Sequence, residues 1–244
     1  MGYYLIGDIL VFLLTYISME KAVQFLKNNL KPTFSNRHRK LFLVMGALFA
    51  LLFLLFTLIV RADLLRAFDF NTTVRLQDDI PVRMDGFFSF LSVVGRFETS
   101  IIVLLLILFF KRKILGFMSF GLFGFAHILE VIGKTILSQP GPPHMFLRTK
   151  EMASEFPGLY IHTDASYPSG HSLRVIFLCI IIVFIIWNMK KFPAYLKYFI
   201  LGSVGLYTIL MLVSRVSLGE HWTTDVVGGL LLGASFAFLS LLFL

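Results

Sequence analysis

Residues 41–60 read LFLVMGALFALLFLLFTLIV, twenty positions with no charged side chain and one hydroxyl, that of Thr57. At ~1.5 Å per residue the stretch makes a helix ~30 Å long, the thickness of a bilayer's hydrocarbon core. A backbone in that medium must satisfy its own hydrogen bonds, which leaves helices and closed barrels. A barrel would show ~10-residue segments of alternating polarity, and the sequence has none. Composition agrees. The 244 residues are 57% hydrophobic and 15% charged, with 28 Phe and a mean hydropathy of +0.84, whereas a soluble domain carries about 25% charged residues. The expected fold is all-α, a polytopic membrane helical bundle.

Outward from this segment, apolar runs at about 97–110, 114–136, 171–188, 196–213 and 224–243 bring the expected transmembrane helices to six. Residues 61–98 read as a mixed-charge loop of six acids and five arginines, with 86–94 (GFFSFLSVV) as a short helix lying at the interface. Residues 3–17 are apolar but short and interrupted by Asp8, so an N-terminal interfacial helix is expected there in preference to a seventh span. Two domains follow: 1–40, an interfacial helix and basic cytoplasmic segment, and 41–244, the six-span unit. The N-terminus lacks a basic leader and an A-x-A-like cleavage site, so no removable signal peptide is expected.

The basic loops 21–40, 111–113 and 189–198 hold six, three and three Lys/Arg and no Asp or Glu. By the positive-inside rule these loops are cytoplasmic. The net charge of +8 is then loop charge near anionic headgroups, and no nucleic-acid partner is expected. Cys179, the single cysteine, lies in an apolar run and reads as an inert thiol.

Three polar patches interrupt the apolar pattern, all on the expected outer side: KTILSQPGPP (134–143), YPSGH (167–171) and SRVSLGEHWTTD (214–225). Ionisable groups beside hydrocarbon are costly and usually functional. In the third patch His221 and Asp225 are four apart, on one face of any helix beginning there. A carboxylate on one imidazole nitrogen leaves the other as a nucleophile. The same residues also suit a plain helix cap, with Thr223 or Thr224 as N-cap and Asp225 in the first turn. Arg215 adds a guanidinium suited to phosphate oxygens. In the second patch the Ser169-Gly170 turn offers a phosphate cradle at a helix start, and His171 a proton; Ser169 suits simple N-capping equally. In the first patch Lys134 follows Glu130 by four, which suits an intrahelical ion pair, or a lysine reaching from a helix end to the interface.

Together the patches resemble the three motifs of the type 2 phosphatidic acid phosphatase superfamily, membrane relatives of vanadium haloperoxidases and bacterial acid phosphatases. The family pattern is K-x6-R-P, P-S-G-H and S-R-x5-H-x3-D. The second is complete at 168–171 and the third at Ser214, Arg215, His221 and Asp225, in family order across 41–244. The first departs: Gly141-Pro142 stands where the family has Arg-Pro. Arg148 in the same loop is the expected substitute, with Arg174 in the fourth span as the fallback.

The resemblance implies catalytic roles for His221 (attack on phosphorus), Asp225 (orientation) and His171 (proton transfer). It implies phosphate binding by Lys134, Arg215, Ser169 and Gly170, and no metal or other cofactor. It implies an integral-membrane lipid phosphatase acting through a phosphohistidine, in the cell membrane with the site on the extracytoplasmic side. Phosphatidic acid, phosphatidylglycerophosphate and polyprenyl diphosphate are candidate substrates, with the last favoured by analogy. A phosphotransferase or a non-catalytic lipid-phosphate binder remains the alternative. Oligomeric state stays open, although Gly229 and Gly233 would permit close helix packing.

Overall fold

The computed structural model describes residue 20 and residues 36–111, 116–137, 139–148, 165–189 and 192–244. Their regular structure is helical, apart from one isolated bridge between Pro140 and Ala165. The helices are α1 (Asn36–Arg61), α2 (Arg66–Asp79), α3 (Asp85–Val94), α4 (Phe97–Lys111), α5 (Phe117–Leu137), α6 (Gly170–Asn188), α7 (Ala194–Ser217) and α8 (Thr223–Ser240). Short 3-10 turns occupy Val82–Met84 and His144–Phe146. The expected interfacial helix at 3–17 lies outside the described residues.

Five helices, α1, α5, α6, α7 and α8, are each long and apolar enough to cross a membrane. The pair formed by Val82–Val94 and Phe97–Phe109 makes a sixth candidate span, bent by 50°. The chain is a multi-pass membrane protein. One expectation for 61–98 needs revision. The segment is not a loop around one short helix, because 66–79 folds into α2. The helix expected at 86–94 is present as α3, which meets α4 at a 50° bend across Gly95–Arg96. The mixed charges of α2 hid it from a search for apolar runs; its buried face carries Asp69 and Thr73 instead.

The bundle has an apolar core with buried polar groups set into it, and it turns many apolar side chains outward as well. α1 buries only Phe42, Gly46 and Val60 and turns Leu41, Leu51, Leu54 and Leu58 outward. The largest fully buried side chains include Arg174 and Arg215. Apolar faces gain nothing by leaving lipid, so close packing and polar contacts must hold the helices. α6 and α8 form the central pair, with α1 and α5 against α8, and α4 and α7 against α6. The close approach of α6 and α8 depends on Gly229 and Gly233. A Cβ at either would strike the α6 backbone, at the carbonyls of Ser169 and Leu173. The glycine pair is therefore used within the chain. On the other flank, Ser235 Oγ donates to Gly46 O of α1 at 2.9 Å.

Candidate active site

The third motif is built at the α7–α8 corner. α7 ends at Ser217, and Gly219 turns the chain with φ +71°, a left-handed conformation that glycine adopts without penalty. The N–H groups of Glu220 and His221 then donate to Arg215 O at 3.1 and 3.2 Å. Trp222 is the N-cap of α8, in place of the expected Thr223 or Thr224. Asp225, in the first turn, accepts the Trp222 N–H at Oδ2 (2.8 Å), and the same oxygen lies 3.4 Å from His221 Nδ1. The two readings of Asp225 are thus both realised: it caps the helix and it faces the imidazole. The 3.4 Å separation is longer than a good hydrogen bond, and such contacts commonly tighten when substrate binds. Nδ1 is thus the ring nitrogen on the side of the carboxylate.

The second motif reaches this corner through the backbone. Ser169 N–H donates to Asp225 O at 2.9 Å, and Ser169 Oγ caps α6 by accepting from Ser172 N at 3.5 Å. Ser169 thus opens α6 and ties it to the first turn of α8. Gly170 is the first residue of that helix and His171 the second. His171 packs against Gly95, at the bend between α3 and α4. Arg215, Arg174, His221 and Lys134 are all close enough for their charges to act on its ring.

The first motif arrives from α5. Lys134 Nζ donates to Glu130 Oε1 at 3.0 Å, and Glu130 Oε2 lies 2.7 Å from His127 Nδ1. The Glu130 carboxylate is fully buried, directly over Gly170. A buried charge without partners would cost several kcal/mol, and here the two flanking groups supply them. Arg215, also fully buried, donates to Glu220 Oε2 at 2.5 Å and to Ser92 Oγ of α3. Lys134, Ser169, Gly170, His171, Arg215, His221 and Asp225 thus gather where α5, α6, α7 and α8 meet.

Arg148 does not join them. Its guanidinium donates to Gln77 O (2.5 Å) and Ile80 O (2.9 Å), with Asp85 3.9 Å away. The physical reason is local. The C-terminal carbonyls of α2 lack helical donors, and a guanidinium fork satisfies two of them. In this structure its guanidinium is thus engaged at the end of α2, while its backbone N–H donates to Leu218 O at 2.9 Å.

Several contributing residues were not singled out from sequence. Ser92 and Glu220 hold Arg215. Asp69 of α2 accepts from both Thr224 N (2.9 Å) and Thr224 Oγ1 (2.6 Å), fixing the start of α8. Burial pushes the Asp69 carboxyl above its ordinary value, the Thr224 hydrogen bonds pull it back, and the charge of Asp225 raises it. Nothing local flagged Asp69, which is 155 positions from its partner. His127 was legible, since His127, Glu130 and Lys134 follow the three- and four-residue spacing of one helix face. No group of three or more His, Cys, Asp or Glu among the described residues is placed to hold a metal. A cavity of about 380 Å³ lies beside the corner, lined by Arg61, Arg66, Gln139, Gly141, Trp222 and Thr224 among others.

The PAP2 superfamily model matches residues 114–244. An undecaprenyl-diphosphatase from Sulfolobus acidocaldarius is 33% identical over 158 residues, which cover 64% of this chain and 69% of that protein. Phosphatidylglycerophosphatase B from Bacillus subtilis is 29% identical over 133 residues, covering 54% of this chain and 60% of the relative. Among solved structures, a transmembrane PAP2-type phosphatidylglycerolphosphate phosphatase from B. subtilis superposes with a TM-score of 0.64 at 21% identity, over 80% of this chain and 94% of the other. LpxE from Aquifex aeolicus gives 0.52 at 20% identity, over 70% and 93%. At those identities the superpositions speak for the fold, and the family match and the Sulfolobus relative speak for descent. The chain belongs to the PAP2 superfamily.

Proposed function

We propose that this protein is a lipid phosphatase of the cell membrane. It removes phosphate from a polyprenyl diphosphate or a lipid phosphomonoester through a phosphohistidine, at the outer interface. The carrying observation is the His221–Asp225 pair at 3.4 Å, set among Lys134, Arg215 and His171. His221 Nε2 attacks phosphorus, forming an N–P bond as the bond to the lipid oxygen breaks. His171 gives that oxygen its proton. In the second half, His171 takes a proton from water, whose oxygen displaces Nε2, releasing phosphate and restoring both rings. Lys134 and Arg215 stabilise the equatorial oxygens as their charge develops. Residues 41–244 form the catalytic unit, with 1–40 outside it.

The Sulfolobus relative's name supports a polyprenyl diphosphate as the preferred substrate. The charge bias of the basic loops supports the outward-facing site. The testing experiment assays purified protein in detergent, in EDTA, against a polyprenyl diphosphate, phosphatidic acid and phosphatidylglycerophosphate. Free phosphate should appear, fastest from the diphosphate, and vanadate should suppress it by mimicking five-coordinate phosphorus. Phosphate recovered only on an added lipid or sugar acceptor would make the protein a transferase. No turnover of any substrate would defeat the proposal.

A further inference from the structure

The family pattern pairs its first-motif lysine with an arginine seven residues on, and this chain has Gly141 there. A phosphoryl group still develops equatorial charge in transfer. Arg148 is occupied at the end of α2. Arg174 is differently placed. It lies in α6 four residues after Gly170 and three after His171, so its side chain neighbours each of them across one helical turn. Helical side chains lean toward the N-terminus, and that of Arg174 does so. Its Nη1 comes within 2.9 Å of the point where a Cβ on Gly170 would stand. Its Nε donates to Gly95 O at 2.9 Å. The side chain is 1% exposed, and a guanidinium is not kept buried in a membrane protein without a role that offsets its cost.

Two cations meet at one spot. Glu130 Oε1 takes the Lys134 ammonium at 3.0 Å and faces Gly170 beside Arg174. The carboxylate thus holds the lysine of α5, and the arginine of α6 reaches the same opening of α6 beside Gly170. That is the cation pair which the family motif draws from one segment. We infer that Arg174 is the second guanidinium of the phosphoryl site, supplying from α6 the charge that position 141 does not. The inference rests on the phosphatase reading above. Glu130 is the positioning residue, and Arg174 binds the transferred phosphoryl oxygens bidentately.

Gly141 provides the test. Its loop is tied to the nucleophile's corner by the bond from Trp222 Nε1 to Pro140 O (2.9 Å). Among the described residues a Cβ there would meet Ser166, at an ordinary 3.5 Å, so a side chain can leave the backbone at this position. The experiment measures kcat and KM of full-length Arg174→Gln and Arg174→Lys, each with and without Gly141→Arg, on a polyprenyl diphosphate, with melting temperatures alongside. Loss of a transition-state donor lowers kcat by about a hundredfold, so Arg174→Gln should do so while KM stays near wild type. Arg174→Lys keeps the charge and the packing but loses the fork, and should fall less. Adding Gly141→Arg should restore kcat about tenfold or more in both. Wild-type kcat in either single variant overturns the inference, and so does a loss that Gly141→Arg leaves unchanged, which would make Arg174 only a partner of Glu130. An inactive wild-type protein would defeat the phosphatase reading and this inference together. An active protein indifferent to position 174 would defeat the inference alone.

Discussion

Gly170→Ala asks whether the three motifs are packed as described. The added methyl would stand on Glu130 Oε1, 2.7 Å from Glu130 Cδ and 2.9 Å from Arg174 Nη1. None of these atoms is a loose end. Glu130 is held by His127 at 2.7 Å and Lys134 at 3.0 Å, and Arg174 by Gly95 O at 2.9 Å. Overpacking of this kind costs about 1–3 kcal/mol of stability. The Glu130 carboxylate must retreat by roughly 1 Å, taking Lys134 with it, and a misplacement of that size costs about a hundredfold in rate. The two effects separate in the assay: initial rates of phosphate release in detergent give kcat, and thermal melting gives stability. Gly124→Ala is the matched control, because nothing lies within 4 Å of a Cβ there. That change should leave kcat alone and add up to about 1 kcal/mol of helix stability. If Gly170→Ala kept wild-type kcat and melting temperature, the carboxylate would not sit on Gly170, and the convergence of α5 with α6 would be wrong.

Other substitutions probe the remaining contacts. Asp225→Asn preserves an oxygen for the Trp222 N–H but removes the charge facing His221, so kcat should fall by about a thousandfold or more with the fold retained; circular dichroism with steady-state kinetics checks both. Arg148→Ala removes two bonds to the α2 carbonyls and should cost about 2 kcal/mol of stability with kcat changed less than by Arg174→Gln, read by melting and turnover. Asp69 yields a pH signature. Its folded carboxyl binds a proton more tightly than the unfolded one. Its contribution to stability is therefore fully present below the ordinary value of 3.8 and is lost as pH rises through the elevated folded value. Asp69→Asn should flatten that acid-side decline in a melting-temperature series from pH 3.5 upward.

The bundle was legible because a bilayer imposes a long, local signal, and 41–60 alone announces it. The catalytic motifs were legible because each is a short spacing: His221 to Asp225, and the run Pro168 to His171. What escaped notice is carried by contacts between distant segments. α2 fixes the start of α8 through Asp69, and no stretch of 66–79 reports that. Ser92 looked like one hydroxyl in an interfacial helix until α3 packed on α7 and brought it to Arg215. Arg148 was misplaced for the converse reason. Nearness in sequence to Gly141 said nothing of the unfilled carbonyls at the end of α2, which hold it more directly than a phosphate would. The first motif's glycine was visible at once, but the consequence of that glycine required knowing which way Arg174 points along α6.

The central claim, transfer through His221, has a direct measurement. A lipid substrate labelled with phosphorus-32 at its terminal phosphate is mixed with excess protein, quenched in detergent within one turnover, and the protein is counted and tested for acid and base lability. The account predicts label on the wild-type protein, lost in acid and stable in base, as a phosphohistidine is. It also predicts no label and no turnover with His221→Ala. Release of labelled phosphate by His221→Ala at the wild-type rate would contradict it.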